Sequence, residues 1–337
     1  MTDNKRIGIL LVGYGAPTDC SHLAIKKFCK EMLFDRSLMF GSRIVWWAKV
    51  RFGMLQEISD EYTKSLQTLW PQGDFPEWPA LNTLCQQLEP RLGGSEAVKV
   101  VPATCYGGHA IIDALRQLRS SNCGRVVVLP LFPQASYSTT GIVKQRVKSA
   151  QRHLHWNVPL RFVDDYHDNQ AYVCALAASI EHAGFNAQRG DKLLLAYRSI
   201  PTDDIEKGDD YELQSGSTSL YIASELGLSR ESWTMAFFAK PYDVRQYLGP
   251  YARDVAKRWG QYCDDRMFIV CPGYATECIR TQYYVKHTLK EIFAEYRELK
   301  GQPEELEQQF VYVPTLGKTR AHLKVLTNVL TPYLEEE

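Results

Sequence analysis

Seven short, nearly uninterrupted apolar runs constrain this chain more than any other feature: Ile7–Val12, Val98–Val101, Val126–Leu131, Leu160–Val163, Leu193–Tyr197, Met267–Val270 and Phe310–Val313. A strand with one wet face alternates polar and apolar residues. Strands that run almost continuously apolar are those covered on both faces, as in a parallel sheet flanked by helices. Parallel neighbours need crossovers, and the chain supplies them. Leu23, Ile25, Phe28, Cys29, Met32 and Leu33 share one side of a helical segment. A second segment opens at Asp168 or Asn169, carries Tyr172, Leu176 and Ile180, and stops at Gly184. Strands alternating with helices predict βαβ units and a doubly wound α/β fold.

The pattern occurs twice. GILLVGYGAP (Gly8–Pro17) and KLLLAYRSIP (Lys192–Pro201) are both apolar strands entering a turn that ends in proline. VVVLPLFPQ (Val126–Gln134) and MFIVCPGYATE (Met267–Glu277) are both strands followed by proline and an aromatic. The chain therefore reads as two Rossmann-like halves, residues 1–165 and 166–337, with parallel sheets facing a central cleft. Ligands of open α/β sheets bind beyond the carboxyl ends of the strands. The four turns just quoted sit at those ends and are expected to line the cleft.

Composition narrows the partners. Lys+Arg and Asp+Glu both number 39, so the formal net charge is zero and nothing points to nucleic acid. No apolar run approaches the roughly 18–20 residues of a membrane span. The N-terminal apolar run has no cleavage-type flank, and a cytoplasmic location is expected. The nine cysteines include no C-x-x-C pair, so no metal site is expected from them and they read as reduced thiols. One stretch breaks the α/β rhythm. Residues 42–55, SRIVWWAKVRFGML, hold Trp46 and Trp47 among cations. They are either core packing or an apolar lip that accepts a flat hydrophobic ligand or touches a membrane peripherally.

Motifs in a fixed order carry a resemblance. They are GILLVGYGAP, LFDRSLMFGSRIVWW, LPLFPQASYSTTG (Leu129–Gly141), LLLAYRSIP, GDDY (Gly208–Tyr211), QYLGPY (Gln246–Tyr251), CPGYATEC (Cys271–Cys278) and FVYVPTLG (Phe310–Gly317). Together they resemble the ferrochelatase family, whose members place ferrous iron into protoporphyrin IX in the last step of haem synthesis. The resemblance spans nearly the whole chain. It implies a chelatase-like fold and protoporphyrin IX or haem as the bound ligand, with no other cofactor.

The resemblance also locates the departures. The family places a histidine after the aromatic residue of its LLLxYxxIP strand; Arg198 stands there, followed by Ser199 where glycine is usual. The family's glutamate two residues beyond its PGxxxxC segment is Arg280 here. Its F-Q-S-R segment aligns with Phe238 and Lys240, and its G-G-S-P-L segment is replaced by Gln72–Pro76. Metallation must remove the pyrrole N–H protons and hold Fe²⁺ at the ring. Neutral histidine accepts a proton or a metal near pH 7. Arginine has no free lone pair, stays protonated and repels a cation. No catalytic residue of the family is therefore retained at these two positions. Two facing arginines tolerate proximity with an anion between them: a porphyrin propionate, a phosphate, or a carboxylate of the protein such as Glu277. The other reading is that both make internal salt bridges.

The remaining candidates each have two readings. Tyr14 faces the ring or packs in the core. His109, in CYGGHAI, is an axial haem ligand or surrogate base, or it is structural. Ser136, Tyr137, Ser138, Thr139 and Thr140 donate to an anion or cap a helix. The leading functional expectation is a tetrapyrrole-binding pseudo-enzyme that senses, buffers or delivers porphyrin or haem. The alternatives are an active ferrochelatase using other residues, and different chemistry on an anionic ligand. The sequence identifies no protein partner.

Overall fold

A computed structural model describes residues 6–36, 39, 41–238, 245–263 and 265–335. Each apolar run becomes a strand: β1 (Arg6–Gly13), β2 (Val98–Thr104), β3 (Cys123–Pro130), β4 (Leu160–Phe162), β5 (Lys192–Arg198), β7 (Met267–Val270) and β8 (Phe310–Tyr312). The sequence reading missed β6 (Trp233–Phe238). That strand lies at a sheet edge, as do β2, β4 and β8, and its buried and half-exposed positions follow no strict alternation.

The strands form two four-stranded sheets, ordered β2-β1-β3-β4 and β6-β5-β7-β8, and every pairing is parallel. The same order in both sheets is the structural form of the repeat seen in sequence. Continuous hydrophobicity has its expected cause: Ile9–Val12, Val126–Leu129 and Leu193–Tyr197 are essentially inaccessible to solvent.

Contacts divide the described chain into two compact units, the first running to Tyr166 and the second from His167 to Gly317. The segment from Lys318 onward, placed with the second half by sequence, belongs to the first unit. Its helix, Arg320–Glu335, packs on helix Glu77–Arg91, and Arg125 Nη2 donates to the Leu334 carbonyl at 2.7 Å. A chain end carries no sequence mark of which sheet it will cover; burial of Leu323, Leu326 and Leu330 decides it.

Local signals act as expected. Helix His22–Leu33 starts at Ser21, whose hydroxyl accepts from the Ala24 N–H at 3.2 Å. Helix Gln170–His182 starts at Asn169, whose side chain accepts from the Tyr172 N–H at 3.2 Å. No described helix is long and apolar enough to cross a membrane.

Candidate functional site

In a 2-1-3-4 sheet the chain leaves strand 1 in both directions, and the crevice for a ligand opens between strands 1 and 3. The corresponding pairs here are β1/β3 and β5/β7, each hydrogen-bonded side by side. The four turns singled out in sequence follow these four strands.

In the first unit the turn after β1 is pressed against the turn after β2. The Cys105 and Tyr106 N–H groups donate to the Gly13 and Tyr14 carbonyls at 3.0 and 3.1 Å. Gly15 has φ +106°, and a Cβ there would land on the Tyr106 carbonyl oxygen. The buried Glu77 carboxylate holds the Gly15 N–H at 2.8 Å. Tyr14 packs its ring on Tyr106, with centroids 5.2 Å apart, and its hydroxyl is buried. Behind them Arg146 donates to Asp35 Oδ2 at 3.2 and 2.8 Å and to the Cys105 carbonyl at 2.7 Å. Its guanidinium lies 4.4 Å from the centre of the Tyr106 ring.

His109 lies exposed on the β2 turn and stacks flat on Trp78, with centroids 3.3 Å apart. Partial burial lowers its pKa, so the ring is neutral at physiological pH. The hydroxyl series after β3 is mostly turned inward. Ser136, Ser138, Thr139 and Thr140 are buried, while Tyr137 is 45% exposed. Ser136 Oγ accepts from the Ser138 N–H at 3.1 Å and caps the π-helical turn Tyr137–Gly141. The capping reading therefore describes Ser136 and Ser138, whose hydroxyls also pair with each other at 3.0 Å.

The lip stretch divides into buried and exposed positions. Trp46 is buried, and its Nε1 donates to the Leu33 carbonyl at 2.8 Å, so it is core and does not line a ligand surface. Trp47 is 51% exposed and meets Phe52 edge to face at 6.1 Å. Ile44 and Val45 are exposed beside them, on helix Arg43–Lys49.

In the second unit Arg198 is the last residue of β5, half-buried and paired in the ladder with Phe238. It forms no ion pair among the described residues. Ser199 is buried and both its donors are engaged: its N–H donates to the Phe238 carbonyl at 3.0 Å and its Oγ to the Leu248 carbonyl at 2.7 Å. Arg280 is the first residue of the π-helical segment Arg280–His287, which follows the β7 turn. Lys240 lies outside the described residues.

Glu277 is not the anion that joins the two arginines. It accepts from Tyr312 OH at 3.2 and 3.0 Å, the Thr315 N–H at 2.7 Å, Thr281 Oγ1 at 2.6 Å and Gln282 Nε2 at 2.5 Å. Its oxygens are engaged by neutral donors, which tie the β7 turn to the end of β8 and to the start of the π-helical segment. Burial raises the Tyr274 pKa well above its ordinary value, and Arg280 and then Arg198 pull against that shift. Tyr274 stands inside the CPGYATEC motif, and the sequence reading did not single it out. Its one sequence signal is a phenol at an aromatic position, and that becomes informative only when the neighbouring charges are located.

Comparison with known proteins places these features. The Ferrochelatase family model matches residues 6–333. The ferrochelatase of Shigella sonnei is 30% identical over 332 residues, covering 97% of this chain and 98% of the relative. That of Nitrosococcus oceani is 28% identical over 331 residues, covering 98% and 87%. Among solved structures, SirB from Bacillus subtilis with Fe³⁺ superposes with TM-score 0.55 at 9% identity, covering 98% of this chain and 96% of that one. CbiX, described as the terminal enzyme for siroheme biosynthesis in denitrifying bacteria, superposes with TM-score 0.50 at 13% identity, covering 96% and 98%. At such identities the two structures speak for the fold, while the sequence matches run essentially from end to end. The chain belongs to the ferrochelatase family.

Proposed function

We propose that this member of the ferrochelatase family binds a tetrapyrrole, protoporphyrin or haem, without inserting iron, and senses, buffers or delivers the bound ring. One observation carries the reading. Arg198, a half-buried guanidinium with no ion pair among the described residues, ends the strand whose turn must supply a proton acceptor for metallation. A guanidinium has no lone pair to give, and its charge opposes an approaching Fe²⁺. Arg280, at the head of the π-helical segment, adds a second positive charge to the same strand-end region. Within the first unit, Trp47 and Phe52 with Ile44 and Val45 form an exposed apolar surface. A flat macrocycle covers such a surface at little entropic cost.

The test is a titration of protoporphyrin IX into the purified protein, followed by ferrous iron under anaerobic conditions. The expected result is a shifted Soret band on binding and no conversion to the metalloporphyrin spectrum. Formation of haem at an ordinary enzymatic rate overturns the proposal in favour of an active ferrochelatase. Absence of porphyrin binding overturns it in favour of different chemistry on an anionic ligand.

A further inference from the structure

We infer that His109 is an axial ligand for the iron of a bound haem, held ready on the turn that follows β2. The inference rests on the tetrapyrrole reading above and narrows it: the ring that this chain retains carries iron.

A histidine kept for structure spends its ring nitrogens on hydrogen bonds. Among the described residues neither ring nitrogen of His109 has a hydrogen-bond or ion-pair partner. What ties the residue down is its backbone, where the Thr104 N–H donates to the His109 carbonyl at 2.8 Å. Any amino acid supplies that carbonyl. The side chain adds only the flat stack on Trp78, with planes inclined by 2°, and a phenylalanine ring stacks there equally well. The nitrogens are left without a structural task on an exposed residue. In the neutral ring one of them keeps a lone pair, which a metal can accept.

The imidazole is also held in place. The Gly107 N–H donates to Glu31 Oε2 at 3.1 Å. A Cβ at Gly107 would lie 2.1 Å from the Ala16 carbonyl oxygen, and one at Gly108 would lie 2.9 Å from Thr18 Cγ2, so the β2 turn is closed tightly on the β1 turn. Trp78 follows Glu77, the buried carboxylate that holds the Gly15 N–H. Three segments of the first unit thus fix one imidazole without using its nitrogens. A ligand positioned before the metal arrives binds it without the cost of ordering a side chain.

A single histidine selects the kind of metal species. A bare zinc-type ion needs several protein ligands. Among the described residues His109 belongs to no group of three or more metal-ligating side chains. Haem iron already has the nitrogens of its macrocycle and asks the protein for an axial ligand alone. Metal-free protoporphyrin offers nothing to coordinate, so the imidazole favours the iron-loaded ring over the empty one.

The experiment titrates haem and metal-free protoporphyrin IX into wild type and His109→Phe, with a melting curve of each ligand-free protein. The phenylalanine keeps a ring on Trp78 and removes both nitrogens. Ferric haem in wild type is expected to give the absorption and EPR spectra of a nitrogen-ligated iron. The variant is expected to lose that signature and to bind haem at least about tenfold more weakly, the lower end of what even an outer-shell partner of a metal ligand is worth. Its affinity for protoporphyrin should be unchanged. An unaltered haem spectrum in the variant, or equal loss for haem and protoporphyrin, overturns the axial ligand and leaves the tetrapyrrole reading standing. So does a wild type that binds protoporphyrin but not haem. If wild type binds neither ring, the tetrapyrrole reading fails and the axial ligand falls with it. Should His109→Phe melt lower than wild type, His109→Gln read by the same spectra decides.

Discussion

Replacing Arg198 with His and Arg280 with Glu in one protein is expected to raise the rate of metal insertion into protoporphyrin. A guanidinium about 4 Å from a divalent cation, at an effective dielectric of about 20, opposes it by roughly 8 kcal/mol. Arg198 is only half-buried, so water and side-chain mobility screen much of this. About a fifth of the full value, roughly 1.6 kcal/mol, still corresponds to more than tenfold in rate. The histidine adds a proton acceptor that arginine lacks. An increase of at least about tenfold over wild type is therefore expected. The assay is the initial rate of metalloporphyrin formation with ferrous iron or zinc, alongside the porphyrin dissociation constant and the melting curve of each protein. If the double variant melts and binds porphyrin like wild type yet inserts metal no faster, charge at these two positions is not the barrier.

Three further outcomes follow from the structure. Glu277→Gln should cost about 2–4 kcal/mol in urea unfolding, because charge-assisted bonds to Tyr312, Thr281 and the Thr315 N–H are weakened together; a loss under about 0.5 kcal/mol would show that this network adds nothing. Gly15→Ala should destabilise far more than Gly184→Ala, since both glycines have positive φ but only the added methyl of Gly15 meets backbone; equal losses would remove the close approach of the two turns as the cause. Burial pushes the thiols of Cys29 and Cys105 up to about 11 and about 12. The unfolded chain ionises them near 9.0 and the folded chain keeps their protons, so their contribution is intact below pH 9. It is lost as pH rises towards 11, at about 1.4 kcal/mol per pH unit for each thiol; a urea midpoint unchanged between pH 8 and 10 would refute this.

Strands β1 to β5, β7 and β8 were legible in the sequence as short, nearly continuous apolar runs, and for the inner strands β1, β3, β5 and β7 the cause is cover on both faces. The allegiance of the C-terminal helix was not, because distant packing leaves no period to read, and β6 was missed although it is as apolar as the edge strands that were found. At the site, the chemical identities at positions 198 and 280 follow from the order of motifs alone. What surrounds those residues does not. Trp46 and Trp47 are neighbours in the chain, yet helix rotation buries one and exposes the other. Ser199 and Glu277 look available in sequence, but the Ser199 hydroxyl proton is given to the Leu248 carbonyl, and the Glu277 oxygens accept from Tyr312, Thr315, Thr281 and Gln282. Tyr274 shows the reverse case, an unremarked residue whose hydroxyl is left unsatisfied. The linear chain states which functional groups exist and whether they can carry a proton or a charge. Which of them still have a hydrogen bond to offer is settled only when folding brings distant donors and acceptors together and removes water from between them.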